Sequence, residues 1–231
     1  MTPAIQITDL RCKRGTFLLD VPDLKIGPGT VVGLVGRNGA GKTTLLQLVA
    51  GLTRPDSGSI RVLGMSPFDD PVGVRQRVAY MTDTQAVLPL PIGTMVRAVS
   101  RFYPTWDSEL AASLLDRFEL PSHKLPGMLS KGEETRLRLV LALAFKPTVL
   151  LMDEPATGLD VVFRRVMLTS VLEVVRDPLR SVVVSSHDLA DLERITDRIV
   201  VLRQGRILAD GAAAELAGDG RSLEQMIAEE G

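Results

Sequence analysis

Cysteine is almost missing from this chain: Cys12 is the single one among 231 residues. No internal disulfide or multi-cysteine metal centre can form, and a reducing compartment, the cytosol, is the expectation. Aromatics are scarce as well, with six Phe, two Tyr and one Trp. Nor is there an excess of either charge, since 27 Lys and Arg stand against 28 Asp and Glu, a net of -1. Without a basic field across the chain, nucleic acid is not an expected partner. Long apolar runs are lacking too: the uncharged run 139–145 is far short of the ~20 residues that a spanning helix needs. Residues 1–10 show neither the basic start nor the apolar segment of a secretory leader, so the chain is expected to stay where it is made.

What is present is an ordinary globular balance, 45% hydrophobic and 24% charged residues, over a length that fits one α/β domain with a small inserted lobe. Short apolar or β-branched runs alternate with helical patterns: 31–35 then 43–50, 148–152 then 163–175, and 181–185 then 189–195. That order predicts a mainly parallel sheet covered by helices. Short strands around 5–8, 17–21 and 59–63, separated by Gly and Pro, predict an antiparallel β flap. From 85 to about 128 the pattern turns helical. Leu110, Leu114, Leu115 and Phe118 share one face there. After 199–202, Gln204-Gly205 and 206–208 read as a hairpin, and 223–230 as a last amphipathic helix.

Gly36-Arg37-Asn38-Gly39-Ala40-Gly41-Lys42-Thr43 fits G-x-x-x-x-G-K-[ST] and lies between an apolar strand and a helical pattern, as a phosphate-binding loop requires. The glycines let backbone N–H groups turn inward onto phosphate oxygens, and the following helix adds its positive end. Lys42 is placed to neutralise the β and γ phosphates, Thr43 to put its hydroxyl on Mg²⁺, and Thr44 to add a phosphate hydrogen bond.

Asp153-Glu154 follows an apolar run and precedes Pro155, which ends the strand. Two acids at a strand end are commonly a solvated turn. Beside a phosphate loop, at the ligand edge of a parallel sheet, they read as a metal carboxylate, Asp153, and a base for the attacking water, Glu154. Ser130 and Glu133, in Leu129-Ser130-Lys131-Gly132-Glu133, make an S-x-x-E capping box that a structural role alone would explain.

The order of these segments, followed by Thr157-Gly158-Leu159-Asp160 and Ser185-Ser186-His187-Asp188, closely resembles the ATP-binding cassette family over nearly the whole chain. The resemblance implies a P-loop NTPase (RecA-like) α/β fold of one domain, 1–231, with a catalytic core and flap at 1–84 and 146–231. A helical subdomain would occupy about 85–145. It implies ATP and Mg²⁺ as cofactors, and a head-to-tail dimer with a second cassette chain. There Ser130 and Gly132 would reach the γ-phosphate bound by the other subunit, His187 would be the switch histidine, and Asp160 a dimer contact. It also implies separate integral-membrane permease subunits, similar to bacterial drug or peptide exporters, with the cassette peripheral on the inner face of the cell membrane. A soluble assembly ATPase of the same family is the alternative.

Three departures stand out. Lys131 and Glu133 occupy positions where the family favours Gly and Gln. The glutamine expected to ligate Mg²⁺ falls on Asp83, with Gln85 two residues later, so either could serve. Lys13-Arg14-Gly15 holds no aromatic to stack on adenine, which leaves Arg14 or Phe17. Phe102, Tyr103 and Trp106 in the helical lobe are either a partner surface or simply its core.

Overall fold

The computed structural model describes residues 2–84, 87–156, 159, 161–175, 177–187, 192 and 195–216. Its larger sheet runs β5 (Val78–Thr82), β6 (Val149–Asp153), β7 (Ser181–Ser186), β3 (Val31–Val35), β8 (Arg198–Arg203) and β9 (Arg206–Ala212). Every neighbouring pair is parallel except β8 with β9, the hairpin turning at Gln204-Gly205. A smaller antiparallel sheet, β2 (Phe17–Ile26), β1 (Ile5–Arg14) and β4 (Ser57–Val62), forms the flap.

The large sheet is a wall between two cores. Successive strand residues point to opposite faces, so Val31, Val35, Leu150, Met152, Val182 and Val184 join one core, and Val32, Leu34, Val149, Leu151 and Val183 the other. Burial on both faces is why these strands read as unbroken apolar runs. The first core is closed by α3 (Ile92–Ser100), α4 (Ser108–Arg117), α5 (Lys131–Leu143) and α6 (Val161–Val175); the second by α1 (Lys42–Val49), the short α2 (Pro71–Arg75) and the flap. Among the described residues, no helix is long and apolar enough to cross a membrane.

In the helical lobe, Leu114 and Phe118 are buried, with Leu110 and Leu115 partly buried against the same core. The Asp107 carboxylate caps α4, accepting the Leu110 amide at 2.8 Å, and Lys146 Nζ approaches it at 2.6 Å. Those two donors, the amide first, hold its pKa below the ordinary carboxylate value. Of the lobe's aromatics, Tyr103 stacks on Phe145 with ring centroids 4.1 Å apart, and Trp106 packs at 6.4 Å from Tyr103. Phe102 is 72% exposed. Core packing therefore accounts for two rings and leaves the third on the surface.

Several boundaries differ from expectation. The flap strands β1 and β2 each run ten residues, well past positions 8 and 21. Pro22 is tolerated within β2 because β2 is an outer strand, and Asp9, left out of the pairing register opposite it, takes φ +49°. The helix α5 stops at Leu143, two residues short of the end expected for the helical subdomain at about 145. The helices expected at 189–195 and 223–230, and the residues Gln85, Asp160 and Asp188, lie wholly or mainly outside the described residues.

Candidate functional site

The chain leaves β3 into the glycine-rich loop and enters α1 at Lys42. A Cβ on Gly36 would sit 2.3 Å from the Leu202 carbonyl oxygen, so any larger residue would push the loop off β8. At the start of α1, Gly41 has φ +107°, and a Cβ there would meet the Phe17 ring at 2.8 Å. The loop folds back on itself. The Ala40 amide donates to the Arg37 carbonyl at 3.0 Å, and Lys42 Nζ donates to the Gly36 carbonyl at 2.6 Å and more weakly to Arg37 at 3.4 Å.

Residues 37–44, Phe17 and Glu154 line a cleft of about 380 Å³ over this loop. Asn38, Gly39, Thr43 and Thr44 are thus on its wall, and the cationic end of the buried Lys42 meets Glu154 Oε1 at 3.1 Å. That contact is an ion pair only: Oε1 accepts no hydrogen bond. The other oxygen, Oε2, is 2.8 Å from Nδ1 of His187. Lys42, Glu154 and His187, far apart in sequence, therefore form one continuous series of polar contacts. Phe17, opposite Arg14 at the β1–β2 turn, is the aromatic on the cleft.

Glu154 has φ +49° and is followed by proline, a backbone state that β-carbons and a following pyrrolidine both disfavour. Its amide donates to Ser185 Oγ at 3.0 Å, and Ser185 Oγ–H donates to Asp153 Oδ1 at 2.7 Å. The second Asp153 oxygen accepts from Tyr80 OH at 3.2 Å. Burial, and then the Asp153 charge, push the Tyr80 phenol up to about 12. Both Asp153 oxygens keep lone pairs beyond these bonds.

The donor set suits Mg²⁺: the exposed Thr43 hydroxyl at the start of α1 and the 3% exposed Asp153 carboxylate offer oxygen alone. Among the described residues no three His, Cys, Asp or Glu side chains cluster for a metal. An ion held by one or two protein oxygens together with phosphates needs no such cluster. Asp83 is exposed one residue beyond Thr82, whose register partner is Asp153. It shares the sheet edge with the Asp153 carboxylate but does not line the cleft; Gln85 is outside the described residues.

Ser130 and Gly132 stand apart from that cleft, at the N-terminus of α5. The capping box is formed in full: Ser130 Oγ accepts the Glu133 amide at 3.2 Å, and Glu133 Oε2 accepts the Ser130 amide at 2.8 Å. Lys124 Nζ donates to Glu133 Oε1 at 2.7 Å. The Lys124 bond first, and the Ser130 amide next, bring the Glu133 carboxyl down to about 2.

Sequence reading did not single out Tyr80 or Ser185 for the site. Their signal was a polar atom inside an apolar strand, Val-Ala-Tyr-Met-Thr and Val-Val-Val-Ser-Ser, and only the strand register shows what those atoms face.

A family model described as ABC transporter matches residues 19–157. The molybdenum import ATP-binding protein ModC of Paramagnetospirillum magneticum is 33% identical over 91% of this chain and 60% of its own. The daunorubicin/doxorubicin resistance ATP-binding protein DrrA of Streptomyces peucetius is 32% identical over 93% of this chain and 67% of its own. The chain thus spans about two thirds or less of the length of these curated relatives. A solved structure described as the ATP binding subunit of an ABC transporter superposes with a TM-score of 0.87 at 27% identity, covering 97% of this chain and 98% of that one.

Proposed function

Because the chain belongs to the ABC transporter ATP-binding family, we propose that it hydrolyses Mg²⁺-bound ATP as half of a head-to-tail dimer driving separate integral-membrane permease subunits. The observation that carries this reading is the contact series from Lys42 Nζ through Glu154, at 3.1 Å, to His187 Nδ1, at 2.8 Å, with Lys42 and Glu154 on the wall of the loop cleft. It joins a phosphate cation, a carboxylate base and an imidazole at one point.

In this mechanism, the loop amides and Lys42 bind the β and γ phosphates, with Thr44 adding a hydroxyl and Phe17 supplying the ring for adenine. Thr43 and Asp153 would hold Mg²⁺, whose positive charge would offset the negative charge that develops on the phosphate oxygens. Glu154 orients a water and accepts its proton at the carboxylate. His187, bonded to Glu154, holds that carboxylate and contacts the γ-phosphate. Asp83 or Gln85 would be the further Mg²⁺ ligand.

Ser130 and Gly132 lie off the cleft of their own chain, which supports a site completed by a second copy. Because Ser130 Oγ is an acceptor in its cap, its own hydrogen is available for a γ-phosphate across the dimer. We assign the whole of 1–231 to one cassette, with the core at 1–84 and 146–231 and the helical subdomain at about 85–145.

A cavity of about 260 Å³ between the core sheet and this helical lobe, lined by Tyr80, Leu88, Tyr103 and Arg138 among others, is where we place the permease contact. The chain would then sit on the cytoplasmic face of the cell membrane. Outward transport is proposed on the likeness to DrrA; ModC, named for import, is equally similar, so the identity of the copurified membrane subunit decides direction.

Glu154→Gln tests the reading. It should bind ATP, lose turnover and accumulate an ATP-dependent dimer by sedimentation. Hydrolysis near the normal rate would remove Glu154 from its role.

A further inference from the structure

Asp153 is the last residue of β6, and the parallel register sets Ser185 of β7 directly beside it. Ser185 is wholly buried, and its one hydroxyl makes two bonds: it donates to Asp153 Oδ1 at 2.7 Å and accepts the Glu154 amide at 3.0 Å. A hydroxyl is the smallest side-chain group able to donate and accept at once. We propose that Ser185 is a positioning residue that sets the metal carboxylate and the catalytic base together, through that single oxygen.

The inference rests on the roles proposed above for Asp153 and Glu154. It explains how Glu154 holds φ +49° ahead of Pro155: a strained backbone state persists where its surroundings over-determine it, and the captured amide is such a restraint. It also explains a polar atom with no access to solvent that directly follows the three central valines of β7. Either bond alone would be a local convenience. Both on one oxygen couple the direction of Asp153 to that of Glu154, so a shift of β7 would move the two carboxylates together.

The test compares two variants of nearly the same shape, Ser185→Thr, which keeps the hydroxyl, and Ser185→Val, which replaces it with a methyl. With ATP, kcat should fall about 10- to 100-fold in the valine variant, as for other groups that orient a metal ligand, and recover most of the way in the threonine variant. Binding of a fluorescent ATP analogue without Mg²⁺ should be unchanged in both. The tightening of that binding on adding Mg²⁺, read without turnover, should be lost only with valine. Equal behaviour of the two variants in kcat and in Mg²⁺-dependent binding, whether both are active or both impaired, overturns the proposal. Should valine prevent folding, judged by circular dichroism, Ser185→Ala takes its place, and wild-type kcat in the alanine variant overturns the proposal equally. Glu154→Gln run alongside separates the two levels: rapid turnover there rejects the parent reading, whatever Ser185 does.

Discussion

Lys124 Nζ lies 2.7 Å from Glu133 Oε1, and both side chains are about three-quarters covered. The relation answers one departure from the family pattern, a carboxylate where glutamine is usual. In the proposed dimer, the N-terminus of α5 meets a γ-phosphate, so a bare glutamate there would repel it; Lys124 supplies the offsetting charge. Lys124→Ala should weaken ATP-driven dimerisation of the Glu154→Gln protein by up to about fivefold, corresponding to ~1 kcal/mol for a partly exposed pair. Adding Glu133→Gln should restore it. Sedimentation with ATP reads both, and no recovery in the double variant would reject the charge argument.

The same carboxyl predicts a pH dependence. Glu133 is lowered to about 2 by Lys124 first and then by the Ser130 amide. A depressed folded value contributes stability above the unfolded value, near 4.5, which is lost as pH falls through the folded one. Wild type should therefore melt above Glu133→Gln at pH 7, and the gap should narrow steadily below about pH 4.5. A gap that stays constant down to pH 2.5 would show that the ion pair contributes nothing.

Much of this was legible in the sequence, for identifiable reasons. Strands β3, β6 and β7 are buried on both faces, so local hydrophobicity alone outlines them. The loop from Gly36 to Thr44 and the Asp153-Glu154 pair are contiguous, so their spacing is their signal. Ser185 is another matter, because its role comes from a register with a strand 32 positions earlier, which no local pattern encodes. No aromatic stands at 13–15, and of the two residues the sequence offers for the base, Arg14 and Phe17, it is the fold of the β1–β2 turn that brings Phe17 against Gly41. The strand expected from the sequence ends at Val21 because Pro22 is a breaker except on an outer strand, which is where β2 lies.

Lys42→Ala addresses nucleotide binding separately from chemistry. Removing a charge-assisted contact to phosphate should weaken ATP affinity about 10- to 100-fold, or ~1.5–3 kcal/mol. The fold should tolerate it, since the Glu154 side chain left behind is 23% exposed and can be hydrated. Isothermal titration with ATP gives the first quantity and thermal melting the second. Unchanged affinity would mean that the cleft over the loop is not where the phosphates bind.

Two adjacent rings in the helical lobe separate stability from partnership. Tyr103 is stacked on Phe145 at 4.1 Å, and burial raises its phenol pKa, so Tyr103→Ala should cost on the order of 2–3 kcal/mol of unfolding free energy. Phe102, at 72% exposed, has no comparable packing, so Phe102→Ala should change stability by less than about 0.5 kcal/mol. If the lobe receives the permease, an exposed ring next in sequence to the cavity residue Tyr103 is a strong anchor for that contact. Phe102→Ala should then reduce recovery of the membrane subunit from detergent-solubilised membranes while isolated ATPase activity stays intact. Full recovery of the subunit would move the docking surface away from Phe102, and a large loss of melting temperature would mean that the ring packs after all.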